Sequence, residues 1–261
     1  MTYENILVER DGNVAILKIN RPKVLNAFND ATVLELTAAF DEFAADANVR
    51  AVVVTGAGDR AFIAGADINE LRALKNSMDG LRKVSLGHQL LKKIESLPKP
   101  VIMAINGFAL GGGTEFALAG DIRIAADTAR LGLPEINLGI FPGMGGTQRL
   151  PRLVGKSIAK RMMFTGDHIT ADEALRIGMV DQVVPAAELM DTALTLARTI
   201  ASKAPIAMAL TKKAINEGME TDLDRGVEIE SAYWGIAATT EDRVEGTSAF
   251  LEKRKAEWKG R

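Results

Sequence analysis

Three consecutive glycines, Gly111 to Gly113, join a strand-like apolar run to a helix-like apolar run in the segment NGFALGGGTEFALAGD. A buried strand followed at once by a buried helix is typical of an α/β protein. Glycine lets another molecule approach this turn closely. The first N–H groups of the next helix have no internal partner, so the turn is a candidate anion or oxyanion site. The alternative is a tight strand-to-helix bend without a ligand.

Two glutamates near this turn stand alone in apolar surroundings. Glu115 precedes the apolar residues 116–119, and Glu135 follows Pro134 within LGLPEINLGIF. A carboxylate in a dry environment is costly unless it is paired or protonated, so both are candidates to divide acid and base duties. The plainer explanations are a helix-start glutamate favoured by the dipole and a surface-loop glutamate. The sequence alone does not place the two side by side.

The composition excludes several classes of site. The chain has 261 residues, enough for one large domain or two modest ones, and no cysteine, which rules out disulfides and zinc–thiolate sites. A net charge of −2 indicates no basic surface overall, which disfavours a nucleic-acid-binding function but leaves a local basic patch open. His88 and His168 lack ligand partners at standard spacing, so no metal is expected. Neither a secretory signal nor a membrane-spanning run is visible, and a cytosolic location is expected.

The hydrophobic pattern changes character along the chain. A hairpin is predicted around Asp11-Gly12, a helix begins after Asn29, and buried strands are predicted at 51–56 and 101–106. Residues 57–80 look like a loop with one short helix. Beyond about residue 150, helical patterns dominate. Helices are predicted to begin at a capping box that starts with Thr170, at Pro205, and at Thr239 together with Asp242. We therefore expect an α/β core with a helical C-terminal extension.

Six segments in order resemble the enoyl-CoA hydratase/isomerase, or crotonase, superfamily. Together they run along nearly the whole chain, which is far more specific than one glycine cluster. The segments are RPKVLNAFN (21–29), AFIAGADINEL (61–71), NGFALGGGTEFALAGDIRIAA (106–126), LPEINLGIFPGMGGTQRLPRLVG (133–155), TGDHITADEALRIGMVDQVVP (165–185) and TTEDRVEGTSAFLEKRKAEW (239–258).

The resemblance implies a fold and an assembly. Residues 1–195 would form a crotonase-like spiral of stacked ββα units. Residues 196–261 would form a helical region that packs chains into homotrimers, often paired as hexamers. The ligand would be an acyl thioester of coenzyme A. No separate cofactor is implied, because coenzyme A is part of the substrate, and neither nucleic acid nor membrane is an expected partner.

The resemblance also implies roles for particular residues. Glu115 and Glu135 would be catalytic, and the backbone N–H groups of Ala66 and Gly112 would form an oxyanion hole around the thioester carbonyl. Phe250 and Lys253 match residues that reach a neighbouring subunit's coenzyme A site in relatives. The full set implied to bind substrate or coenzyme A is Lys23, Leu25, Ala64, Ala66, Asp67, Ile68, Asn69, Gly112, Pro134, Gly143, Phe250 and Lys253.

Two glutamates favour one activity within the family. Reversible syn hydration of a 2-enoyl-CoA to a 3-hydroxyacyl-CoA would use both Glu115 and Glu135, whereas family isomerases typically need only the match to Glu135. Isomerisation of 3-enoyl to 2-enoyl thioesters is the alternative within the family. A non-catalytic relative that binds RNA or protein is the alternative from another class, and the composition offers no basic stripe to support it.

Overall fold

The computed structural model describes residues 3–261, and their first element is the predicted hairpin, which turns at Gly12 with a φ of +55°. Parallel and antiparallel strands divide between two sheets, of six and four strands. The strands are β1 (Ile6–Asp11), β2 (Val14–Ile19), β3 (Ala51–Gly56), β4 (Ala61–Ile63), β5 (Val101–Ile105), β6 (Phe108–Leu110), β7 (Ile122–Ala126), β8 (Arg130–Gly132), β9 (His168–Thr170) and β10 (Gln182–Val184).

The helices follow the strands in a repeating pattern. They are α1 (Asp30–Ala45), α2 (Ile68–Arg72), α3 (Ser77–Ser96), α4 (Gly112–Leu118), α5 (Gly146–Val154), α6 (Lys156–Thr165), α7 (Ala171–Arg176), α8 (Leu189–Ala201), α9 (Pro205–Gly218), α10 (Leu223–Ala237) and α11 (Glu241–Glu252). No helix within residues 3–261 is both long enough and apolar enough to cross a bilayer.

Three successive turns of the fold each place one strand in each sheet. The larger sheet has the order β1-β2-β3-β5-β7-β10, and the smaller has the order β4-β6-β8-β9. The chain therefore passes from β3 to β4, from β5 to β6 and from β7 to β8, and a helix follows each pair. This repeat of strand, strand and helix confirms the predicted spiral of ββα units and the α/β class.

Continuous apolar runs form the inner strands of the larger sheet because both of its faces are covered. Along β3, Val52 and Val54 pack in the main core, with residues of α1, α3 and α4. Ala51 and Val53 face the opposite way and pack with α8 residues such as Ala193. The alternation of β3 side chains thus buries one helix, α8, on the far side of the sheet.

Helix α8 spans the predicted boundary between core and C-terminal region at 195/196. Its buried residues lie on both sides of that boundary, at Leu189 and Ala193 and again at Ala197 and Ala201. The helix belongs with the sheet along its whole length. That the residues beyond it serve oligomerisation stays a prediction.

The structure confirms the predicted N-caps of α1 and α7 and moves the predicted N-cap of the last helix by one residue. As predicted, the Asn29 side chain caps α1 by accepting a hydrogen bond from the N–H of Thr32. The Thr170 side chain caps α7 in the same way, by accepting from the N–H of Glu173. The last helix is capped by Thr240, not by Thr239, which was one residue wrong. Helix α3 starts at Ser77, inside the segment 57–80 that was predicted to be mostly loop, because Asn76 accepts from two N–H groups of its first turn.

Candidate active site

A cavity of about 340 Å³ lies beside the N-termini of α2 and α4 and the middle of α3. Most of its wall is apolar, so a charged group that faces it is poorly solvated. Both glutamates singled out in the sequence line it, so the fold brings Glu115 and Glu135 to one space. The main apolar lining residues are Phe28, Val33, Leu71, Val84, Leu138 and Met144.

Glu115 is held by a turn far away in sequence. It lies in the first turn of α4 and is only 1% exposed. Its Oε1 accepts hydrogen bonds from the N–H groups of Met144 and Gly146, each at 2.7 Å. The side chain therefore has one oxygen fixed by the backbone, which orients the carboxyl group in the cavity wall.

An ion pair supports that turn from behind. Arg149 Nη1 donates to the carbonyl of Met144 at 3.1 Å, while its Nη2 donates to Glu95 at 2.8 Å. Gly145 within the turn has a φ of +102°, and a Cβ there would lie 2.0 Å from the Arg149 guanidinium. Glycine is thus required for the turn to close over Arg149 and present its N–H groups to Glu115.

Glu135 lies opposite, in the short 3₁₀ helix Pro134–Leu138. Its Oε2 is buried and has no hydrogen-bond partner within residues 3–261. Its Oε1 lies 2.8 Å from the place that a Cβ on Gly111 would occupy, and Gly111 has a φ of +52°. The first glycine of the triple turn therefore provides both the left-handed bend and the room for this carboxyl group.

Burial gives both carboxyl groups an unusual affinity for protons. It raises the pKa of Glu115 from 4.5 to about 7, opposed by the Gly146 and Met144 hydrogen bonds and aided by the charge of Glu135. Burial likewise raises the pKa of Glu135 from 4.5 to about 7. Two acids poised near neutrality in one cavity can each give or take a proton.

Ala66 and Gly112, the two residues predicted to supply backbone donors, line the same cavity. Gly112 is the first residue of α4, where a helix N–H has no intrahelical partner. Ala66 forms a bridge with Phe28, but the donors in that bridge are the N–H groups of Phe28 and Asp67. The N–H of Ala66 is left out of the bridge, and both Ala66 and Gly112 line the cavity.

The other predicted binding residues divide into two groups. Ala64, Ile68, Pro134 and Gly143 line the cavity with the residues already described. The others lie elsewhere in the chain: Lys23 and Leu25 at the 3₁₀ turn Pro22–Val24, Asp67 and Asn69 at the start of α2, and Phe250 and Lys253 at the end of α11. Asp67 caps α2 through the N–H of Asn69 and pairs with Arg21.

Sequence inspection missed the groups that position Glu115. The sequence prediction gave neither the turn Gly143–Gly146 nor Arg149 a role in holding Glu115. The signal lay in GMGGTQR, where glycines allow backbone N–H groups to converge on one acceptor. Among residues 3–261, no three His, Asp or Glu side chains are grouped as a metal site would need.

Replacing Glu115 with glutamine should stabilise the fold above neutral pH. The pKa of the Glu115 carboxyl group rises from 4.5 to about 7 on folding, so the folded state loses stability as pH rises through that interval. The amide keeps the acceptor for Met144 and Gly146 but carries no charge. Urea unfolding should show equal stability near about pH 4 and an advantage for Glu115→Gln on the order of 1–3 kcal/mol near about pH 8. An advantage that does not change with pH would contradict the burial cost.

Comparisons with known proteins point in one direction. The family model described as enoyl-CoA hydratase/isomerase matches residues 9–261. The chain is 50% identical to the short-chain-enoyl-CoA hydratase of Clostridium acetobutylicum over 98% of each protein. It is 49% identical to the crotonyl-CoA hydratase of Syntrophomonas wolfei, again over 98% of each.

The solved structures agree with the sequence comparisons. The crystal structure of an enoyl-CoA hydratase from Bacillus anthracis superposes with a TM-score of 0.95 at 44% identity, covering 99% of this chain and 100% of the other. An enoyl-CoA hydratase from Mycobacterium smegmatis superposes with a TM-score of 0.93 at 33% identity, covering 98% of this chain and 99% of the other. The likeness extends through the C-terminal helices as well as the two sheets.

Proposed function

This chain belongs to the enoyl-CoA hydratase/isomerase family, and we propose that it reversibly hydrates 2-enoyl-CoA thioesters to 3-hydroxyacyl-CoA. One observation carries the proposal for this particular chain. Two glutamates with raised pKa values, Glu115 buried and Glu135 half-buried, line a single apolar cavity that Ala66 and Gly112 also line.

In the proposed mechanism the backbone stabilises the thioester oxygen. Adding water across the conjugated double bond moves negative charge onto that oxygen, giving an enolate-like transition state. The N–H groups of Ala66 and Gly112 donate to it, and the dipole of α4 adds positive potential at Gly112. Because the charge is larger in the transition state than in the substrate, these donors lower the barrier.

The two glutamates then handle the proton transfers. Ionised Glu115 takes a proton from a water molecule as the water oxygen bonds to C3. Protonated Glu135 delivers a proton to C2, which takes up the electron pair of the enolate. The free Oε2 of Glu135 has no competing partner within residues 3–261. After one turnover the proton moves back from Glu115 to Glu135 through solvent, and dehydration follows the same steps in reverse.

This division of labour predicts a bell-shaped pH profile. The active form carries one proton on the pair, and each pKa lies at about 7, so the two groups titrate as a coupled pair. Below neutral pH Glu115 becomes protonated, and above it Glu135 loses its proton. We expect kcat/KM for crotonyl-CoA to peak near neutrality and to fall on both sides. A profile that stays flat from about pH 5 to about pH 9 would contradict the assignment.

The activity itself is tested directly with crotonyl-CoA. Wild-type protein should remove the absorbance of the conjugated enoyl thioester, and 3-hydroxybutyryl-CoA should appear. An isomerase would instead convert 3-enoyl to 2-enoyl thioesters and would tolerate Glu115→Ala. Inactivity of the wild type on every 2-enoyl-CoA chain length would refute the proposal.

The proposal extends to assembly and to coenzyme A. Exposed apolar side chains on the C-terminal helices support a homotrimer or a dimer of trimers, among them Leu223 at 81%, Trp234 at 72% and Phe250 at 83% exposure. In that assembly Phe250 and Lys253 would reach the coenzyme A of a neighbouring chain. Coenzyme A would be contacted within the same chain by Lys23, Leu25, Asp67 and Asn69. The proposed location of the enzyme is the cytosol.

Light scattering tests the assembly. The expected mass is three or six times the 28.0 kDa of one chain. Replacing Leu223 and Trp234 with serine should release monomers, because both side chains would lie in apolar contacts between subunits. A wild-type mass of one chain at micromolar concentration would exclude the trimer.

A further inference from the structure

A cluster of three charged side chains ties α1, α2 and α3 together. Lys83 Nζ on α3 lies 2.6 Å from Asp30 Oδ1 at the start of α1 and also pairs with Glu70 on α2. Both Glu70 oxygens accept from the backbone N–H of Asp30 at 3.1 Å. The Lys83 side chain is only 16% exposed, whereas the side chains of Asp30 and Glu70 are 49% and 33% exposed, so the ammonium group is shielded while its two carboxylate partners still contact solvent.

This cluster stands between two cavities. Asp30 and Lys83 line the catalytic cavity, and the same two residues line a second cavity of about 310 Å³ that opens to solvent. The second cavity is also lined by Glu70, Leu74, Arg82 and Leu86. Its wall contains no catalytic glutamate. The two spaces therefore share one partition, which is built from an ion pair.

The partition lies on the same helix, α3, as the residue that packs against the turn that holds Glu115. On α3, Gly87 faces Met144, whose side chain lies 2.6 Å from the place of a Cβ on Gly87, and Met144 donates to Glu115. Lys83 precedes Gly87 by four residues and so lies on the same face, about 6 Å along the helix. The wall of the cavity thus runs along α3 from the Glu115 turn to Lys83.

We propose that Lys83, held by Asp30 and Glu70, closes the acyl end of the cavity and restricts the enzyme to short acyl chains. The proposal rests on the hydratase function proposed above and names the feature that sets its substrate length. A longer tail would have to displace an ammonium group shared by two carboxylates. Separating a partly buried ion pair next to an apolar tail leaves charges without partners, and this penalty falls only on long substrates.

The cluster keeps Lys83 charged at working pH. Burial lowers the pKa of its ammonium group, but hydrogen bonds to Asp30 and Glu70 outweigh burial and hold the pKa above the usual value. The side chain can therefore not adapt to an apolar tail by losing its proton. A substitution is needed to join the two cavities.

The test compares Lys83→Ala with the wild type on crotonyl-CoA, 2-octenoyl-CoA and 2-dodecenoyl-CoA. The wild type should have its highest kcat/KM with crotonyl-CoA. Lys83→Ala should raise the ratio of kcat/KM for 2-dodecenoyl-CoA to that for crotonyl-CoA at least tenfold, which is the effect of burying about two further methylenes. Lys83→Met removes the ion pairs but keeps the length of the side chain, so a smaller rise is expected.

A matched control lies on the same helix. Lys93 on α3 pairs with Asp41 on α1, away from both cavities, so Lys93→Ala removes a Lys–Asp pair between the same two helices. It should leave the chain-length ratio unchanged. A wild type that favours 2-dodecenoyl-CoA, or Lys83→Ala and Lys83→Met with wild-type ratios, would overturn the proposal. If the wild type hydrates none of the three substrates, the result would instead refute the hydratase function on which the chain-length proposal rests.

Discussion

Glu135→Gln is expected to lower kcat for crotonyl-CoA hydration by about 10²–10⁴-fold. The amide fills the same space beside Gly111 but cannot deliver a proton to C2. Because the glutamine neither adds nor removes volume, KM should change far less than kcat. The measurement is the rate of loss of the enoyl absorbance, with substrate binding followed separately by calorimetry.

Two further variants serve as a comparison and a control for Glu135→Gln. Glu115→Gln should lose a similar factor, because its amide cannot take the proton of the attacking water. Glu188→Gln changes an exposed glutamate at the start of α8 and should retain wild-type kinetics. Glu135→Gln with more than a tenth of wild-type kcat would contradict its role as the acid.

Gly112→Pro should remove one donor of the oxyanion hole and lower kcat/KM by at least about 10²–10³-fold. Proline suits this position structurally, because Gly112 is the first residue of α4 and the ring is preorganised for a helix start. Gly111 has no Cβ to clash with the ring. The ring carbon also replaces the hydrogen that would contact the thioester oxygen, which adds to the loss.

The control for this variant is Gly112→Ala, which keeps the N–H. A Cβ at Gly112 would lie 3.4 Å from Met144 Sδ and 3.9 Å from Phe28, both ordinary or nearly ordinary contacts. Its activity should stay within about tenfold of the wild type. Equal losses in the alanine and proline variants, with unchanged melting temperatures, would assign the effect to bulk at Gly112 and remove the donor from the mechanism.

Long apolar runs and capping residues made the larger elements of the fold predictable. The hairpin at Gly12, the helix after Asn29 and the strand 101–106 each carry a local signal. The strands β4, β6 and β8 were missed, because each has only three residues and is stabilised by pairing with strands distant in sequence. No local pattern marks such a strand.

The catalytic cavity was predictable to a similar extent. Each glutamate was visible as a single charge in apolar company, and the turn at Gly111–Gly113 was visible as a place for N–H donors. Their proximity was not, because β6 and β8, the strands that precede the two glutamates, meet only through pairing in the smaller sheet. The support of Glu115 by Arg149 and Glu95, and the partition at Lys83, depend on contacts across more than fifty residues of sequence.

The central claim is that two backbone donors bind the thioester oxygen while two glutamates flank C2 and C3. The most direct measurement is a crystal structure of the Glu115→Gln, Glu135→Gln double variant with crotonyl-CoA bound, in which the substrate cannot react. We expect the thioester oxygen about 2.7–3.1 Å from the nitrogens of both Ala66 and Gly112, with C2 beside residue 135 and C3 beside residue 115. A thioester oxygen bound away from those nitrogens, or a double bond outside the space between the two side chains, would contradict it.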